Sequence, residues 1–196
     1  KISVFLKRKN RILLKDSTIK LANLLNSKKI NNLIFLNYSP ELEKFLFWCQ
    51  QLLAESLGKK NKGFLPMISS APKDHHSLLQ LYLDGPKDKL FYIISMDKKS
   101  KETININKNF NIKSTLREKK MSSVKNAQKN ALIKSFKKRN IPFREFRIKK
   151  NNEEMLGKLF SYFIIETIII AKLLKINPYD QPAVEEVKIF TKKLLS

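Results

Sequence analysis

Three short stretches hold residue types from which proton-transfer chemistry can be built. The first is Gln50-Gln51-Leu52-Leu53-Ala54-Glu55-Ser56-Leu57-Gly58-Lys59. Gly58 is a helix stop, so Glu55 falls in a last helical turn. A carboxylate there faces the negative end of the helix dipole, which costs stability but suits a general base. The plainer role is a surface pair with Lys59, four residues on. The second stretch is Asp74-His75-His76-Ser77, which holds both histidines of the chain at an expected helix start. The positive end of a helix dipole disfavours imidazolium, so a histidine there is suited to passing a proton as the neutral ring. Two surface histidines beside a cap is the alternative. Adjacent histidines point apart on a helix and no third ligand is spaced for them, so no metal site is read here. The third stretch is Asn177-Pro178-Tyr179-Asp180-Gln181-Pro182, running on to Lys188. Gln181 and Lys188 are seven apart and share one helix face across two turns. An ordinary amphipathic terminal helix explains them equally well.

The elements that must position these residues read as an alternation. Residues 16–27 are expected to form a helix capped by Asp16 or Ser17, with Ile19, Leu21, Leu24 and Leu25 on one face. Four strands are expected near 32–37, 64–69, 91–96 and 143–148; the first and third are continuous apolar runs of the kind buried on both faces. Ser39-Pro40 opens a helix that runs to Ser56, with Glu41 and Glu43 in its first turn. A helix from Asp74 to Leu83 stops at Asp84-Gly85-Pro86. Residues 97–112 read as a polar loop and 114–139 as a basic helix. A long apolar helix over 152–174 is expected to be largely buried, and a last helix begins near Gln181-Pro182. Strands alternating with helices give an α/β class: three α/β/α layers around a parallel sheet, with a C-terminal helical arm. Ligands gather at strand C-terminal ends in such folds.

Composition excludes several classes. One cysteine, Cys49, excludes a disulfide scaffold and a cysteine-built zinc site. Four glycines fit neither a dinucleotide fingerprint nor a P-loop. The apolar run 159–174 carries Glu166 and Lys172 and is shorter than the ~20 residues a bilayer needs, so no membrane partner is expected. No cleavable signal is read at Lys1-Ile2-Ser3-Val4, and a cytoplasmic, reducing setting is expected. The net charge is +23. Its excess sits in residues 1–30, with nine Lys and Arg against Asp16, and in residues 108–150, with fifteen against Glu118 and Glu145. Six of the forty basic residues are Arg. Base readout leans on bidentate Arg, so a solvated Lys-rich surface is the preferred reading over a nucleic-acid site.

The motifs WCQQLLAESLGK (48–59), PKDHHSLLQLYLDGPKDK (72–89) and INPYDQPAVEEVK (176–188), in this order, resemble the bacterial glucose-6-phosphate isomerase family. The resemblance covers roughly 30–196 and is much weaker over 97–150. It implies the second of the family's two sugar-isomerase (SIS) domains plus its C-terminal arm. Residues 1–29 are then a basic lead-in from an upstream first domain, 30–150 the SIS domain, and 151–196 the long helix and arm. The function implied is interconversion of glucose 6-phosphate and fructose 6-phosphate through an enediol, without metal or other cofactor. Glu55 falls on the family's base, His76 on the ring-opening histidine reaching in from the neighbouring subunit, and Lys188 on a lysine near the ring oxygen. Gln51 and Gln181 fall on substrate-contacting glutamines, and His75 on a variable position. A homodimer acting on a sugar phosphate is therefore expected. The first domain's phosphate loops and a Gly-Gly-Arg motif are absent from the residues before 30, so the chain alone is expected to be inactive. A non-catalytic SIS module that binds sugar phosphates or a protein partner is the alternative.

Overall fold

A computed structural model describes residues 7–97 and 119–196. The polar stretch read as a loop, beyond Asp97, and the first residues of the basic helix lie outside the described residues. The elements are α1 (Arg8–Asn26), β1 (Asn32–Asn37), α2 (Glu43–Leu57), β2 (Leu65–Ser70), α3 (Leu79–Asp84), β3 (Lys89–Met96), α4 (Met121–Lys138), β4 (Phe143–Ile148), α5 (Glu153–Leu173) and α6 (Pro182–Leu195). The four strands form one sheet in the order β2-β1-β3-β4, and every pair is parallel. Asn32 aligns with both Leu65 and Lys89, and Phe91 with Phe143.

The alternation of a strand splits β1 and β3 between two cores. Leu33, Phe35, Tyr92 and Ile94 face one layer, built from α1, α2 and α5 through Leu21, Leu46, Cys49, Leu53, Phe163 and Ile170. Ile34, Leu36, Phe91 and Ile93 face the other, covered by Tyr82, Leu132 and Phe136. Both faces being covered is what the continuous apolar runs require. The α/β/α expectation holds, and each strand lies within two residues of its expected bounds.

Three expectations need correcting. The first helix begins at Arg8, so Asp16 and Ser17 are interior, not caps. Ser17 Oγ instead donates to Glu166 Oε1 at 2.7 Å. Ile19 points outward at 39% exposure while Thr18 is buried, its hydroxyl donating to the Lys15 carbonyl at 2.8 Å. The Asp74–Leu83 helix is two pieces, a 3₁₀ turn over Lys73–His76 and the one-and-a-half-turn α3. Asp74 explains the break: its Oδ2 accepts from Ser70 N (2.8 Å) and Ser69 Oγ (3.0 Å), folding the chain back on the end of β2. Lastly, α5 buries one stripe only, through Phe163, Glu166, Thr167, Ile170 and Ala171. Ile164 and Leu173 are exposed, because a helix laid on one sheet face and flanked by α1 and α2 has an outer side left over.

Inside that stripe sits a polar cluster. Arg144, on β4, donates to Tyr92 Oη (2.7 Å), Glu166 Oε1 (2.9 Å) and the Tyr162 hydroxyl. Its guanidinium also lies over the rings of Tyr92, Phe146 and Tyr162. Burial, reinforced by the Glu166 carboxylate, pushes the Tyr162 phenol up to about 12.

Candidate active site

Helix α2 descends from the C-terminal end of β1 to the N-terminal end of β2, where Gln50 Nε2 donates to the Pro66 carbonyl at 2.8 Å. Gln51 and Glu55, one turn apart, share a face, and Gln51 Nε2 donates to Glu55 Oε1 at 3.0 Å. The other carboxylate oxygen, Oε2, accepts from Gln181 Nε2 at 2.8 Å. Each oxygen of Glu55 is thereby held by one amide, and one amide comes from 126 residues away. Glu55 and Gln181 line a cavity of about 510 Å³ with Gly58, Lys59, Asn177 and Asp180.

Past α2 the chain turns sharply. Gly63 has φ +110°, and a Cβ there would come within 2.9 Å of Gly58 Cα, so the loop packs back on the helix end only with glycine. Lys59 does not make the surface pair with Glu55 that the spacing suggests. It bridges to Asp180 Oδ1 at 2.9 Å rather than to Glu55. The hydrogen bond from Lys59 holds the Asp180 carboxyl below its usual range.

His76 stands elsewhere. It lies in the turn just beyond the C-terminal end of β2, whereas Glu55 lies near that strand's N-terminal end. The six residues of β2 lie between the two along the fold, and His76 is not among the residues that line the cavity with Glu55. The dipole argument for the histidines lapses, because a four-residue 3₁₀ turn takes the place of a helix start. His75 is nonetheless disfavoured as imidazolium, chiefly by burial, and its Nε2 meets the hydroxyl of the buried Tyr38 at 2.8 Å. Lys188 pairs with Glu185 at 2.6 Å on α6 and lines a separate exposed groove with Val187, Ile189 and Lys192. Thus Gln51, Glu55 and Gln181 are brought together, while His76 and Lys188 are not placed with them. Among the described residues no group of three or more His, Cys, Asp or Glu could hold a metal ion, and no helix is long and apolar enough to cross a membrane.

No family model matches the chain. Curated relatives do. It is 35% identical over 152 residues to a probable glucose-6-phosphate isomerase of Methanococcus maripaludis, covering 78% of the chain and 34% of that protein. It is 35% identical over 159 residues to the glucose-6-phosphate isomerase of Mycoplasmopsis synoviae, covering 79% and 37%. The chain is related to the glucose-6-phosphate isomerases. It spans little more than a third of the length of these two glucose-6-phosphate isomerases. Among solved structures, a hypothetical protein from Thermus thermophilus matches with TM-score 0.79 at 26% identity, over 91% of the chain and 45% of that protein. A glucose-6-phosphate isomerase from Chlamydia trachomatis matches with TM-score 0.65 at 16% identity, over 84% and 34%, and so shares the fold. Sequence reasoning did not foresee that Tyr38 and Asp74 brace the histidine turn, or that Lys59 pairs with Asp180. Only the Ser-rich end of β2 beside Asp74 hinted at the first.

Proposed function

We propose that this chain is the base-bearing part of a glucose-6-phosphate isomerase, interconverting glucose 6-phosphate and fructose 6-phosphate. The observation that carries the reading is Glu55, held by the Gln51 and Gln181 amides and lining with Gln181 a cavity large enough for a sugar phosphate. Aldose–ketose isomerisation moves a proton between C2 and C1 while the carbonyl moves the other way. One carboxylate serves both legs: Glu55 takes the proton from one carbon, an enediol forms, and Glu55 returns the proton to the neighbouring carbon. The two amides orient the carboxylate and offer polar edges to the sugar hydroxyls. No redox partner is needed, since the oxidation at one carbon equals the reduction at the next.

His76 acts in this reading as the proton carrier for ring opening in a neighbouring subunit of a homodimer, which fits its separation from Glu55 in its own chain. Lys188 keeps only the role the family resemblance implies, a cation near the ring oxygen; in this chain it pairs with Glu185 in a separate groove and would have to leave that partner to reach the cavity of Glu55. The chain is read as the second SIS domain and arm of a cytoplasmic enzyme of carbohydrate metabolism, where charged sugar phosphates are held. In this reading the phosphate of the substrate is held by a further part of the enzyme, and this chain is expected to be inactive by itself.

The test is a chimera in which this chain replaces the matched segment of the Mycoplasmopsis synoviae relative. It should convert glucose 6-phosphate to fructose 6-phosphate, and Glu55→Gln should reduce kcat by about 10²–10⁴-fold. A folded chimera that is inactive, or one indifferent to Glu55→Gln, overturns the reading.

A further inference from the structure

The arm that carries Gln181 reaches Glu55 with little packing of its own. Residues 179–196 are exposed, and α6 buries no side chain. A single amide–carboxylate contact at the surface cannot by itself order such a segment, because its gain is small beside the chain entropy lost. Two lysines from the loop that follows α2, Lys59 and Lys62, do the holding. Lys62 Nζ donates to the Leu174 carbonyl at 2.7 Å, at the C-terminal end of α5 where a cation also meets the negative end of the helix dipole. Lys59 Nζ bridges Asp180 Oδ1 at 2.9 Å and donates to the Asn177 carbonyl at 2.6 Å, with its side chain only 12% exposed. Asn177 Oδ1 accepts from Tyr179 N at 3.1 Å, so the four residues Asn177–Asp180 form one folded unit on the ammonium group. Gln181 is the next residue after Asp180.

We propose that Lys59 is a positioning residue, a latch that seats Asn177–Asp180 on the end of α2 and thereby sets the Gln181 amide on the Glu55 carboxylate. The role in turnover rests on Glu55 being the base. The latch itself stands on the geometry. Its mechanism is orientation: with one donor lost, the carboxylate explores rotamers that do not face the reacting carbon, and rate falls more than affinity.

The experiment has two readouts. The first uses this chain alone: the ¹⁵N-labelled side-chain amide of Gln181, identified by its loss in Gln181→Glu. Lys59→Met, which keeps the apolar stem, should move that resonance to the free-glutamine position. Lys59→Arg, which can still donate to both oxygens, should keep it in place. Asp180→Asn serves as a second variant in case Lys59→Met fails to fold by circular dichroism. The second readout is the chimera's kinetics: Lys59→Met should lower kcat about tenfold with KM changed less than about threefold, and Lys59→Arg should restore most of it. An unmoved Gln181 resonance in a folded Lys59→Met or Asp180→Asn chain overturns the latch. So does a rise in KM at unchanged kcat. An inactive chimera with Lys59 intact counts against the isomerase reading instead, while the resonance still decides the latch.

Discussion

Glu55 and His76 occupy opposite ends of the six-residue strand β2, one near its first residue and the other just past its last. In the proposed reading His76 serves the neighbouring subunit while Glu55 serves its own. In the chimera, Glu55→Gln and His76→Asn proteins should each be nearly inactive. Mixed and allowed to exchange subunits, half the dimers become heterodimers with one intact site each. Activity should recover to roughly a quarter of wild type, read in a coupled isomerase assay. No recovery after verified exchange would place His76 in its own subunit's chemistry or in none.

Thr167 is 1% exposed, and its Oγ1 is one of two buried side-chain oxygens without a hydrogen-bond partner among the described residues. Desolvating an unpaired hydroxyl is a cost that a methyl does not carry. Thr167→Val should raise stability by about 1 kcal/mol, seen as a melting temperature higher by ~2–4 °C. A lower melting temperature would show that the hydroxyl has a partner in solution.

The Arg144–Glu166 pair should behave in the opposite way. Glu166 is 2% exposed, and Arg144 is its cationic partner at 2.9 Å. Arg144→Met strands a buried carboxylate and should cost about 3–5 kcal/mol in a urea titration. Adding Glu166→Gln should return part of that loss, since the stranded charge is gone. Equal loss in the single and double variants would remove the pair from the account.

Burial lowers the pKa of His75 from its usual 6.5, with His76 adding to the shift and Asp74 opposing it. The unfolded chain therefore takes up a proton first as pH falls. The contribution of His75 is whole above about pH 6.5 and is lost as pH drops below that value. His75→Gln should flatten this part of the stability curve between pH 7 and pH 5, measured by denaturant midpoints. An unchanged slope would assign it to other groups.

The basic end of α4 lies away from the cavity that Glu55 lines. Neutralising Lys137, Lys138 and Arg139 together should leave KM of the chimera unchanged at physiological salt. A tenfold rise, ~1.4 kcal/mol, would mean that these charges steer or hold the substrate.

Strands were the most legible elements because apolar runs such as Leu33-Ile34-Phe35-Leu36 have one comfortable home, the middle of a covered sheet. The start of α1 was not legible: Arg8 to Lys15 carries basic residues with good helix propensity but little apolar periodicity. Asp74 hid the 3₁₀ turn, since its bonds to Ser69 and Ser70 follow from the placement of β2. At the site, Gln51 and Glu55 were joined by helical spacing. No spacing joins Glu55 to Gln181. The family motifs suggested that pair, and the fold alone supplies the contact. Helical spacing offered Lys59 only Glu55, and its pairing with Asp180 depends on where the arm lies.

The strand order carries a cost during folding. β1 is interior to the sheet, yet its two neighbours arrive much later along the chain: Asn32 waits for Leu65, 33 residues on, and for Lys89, 57 residues on. There is no hairpin among the described strands by which it could pair locally. Until both partners are made and delivered, Leu33-Ile34-Phe35-Leu36 presents two open hydrogen-bonding edges and two greasy faces, the profile of a segment that sticks to other chains. Helix α2, which follows at once and covers one face through Leu46, Cys49 and Leu53, is its earliest shield. The helix that bears Glu55 thus also chaperones the strand before it, and substitutions at Leu46 or Leu53 should lower soluble yield more than they lower the stability of protein already folded.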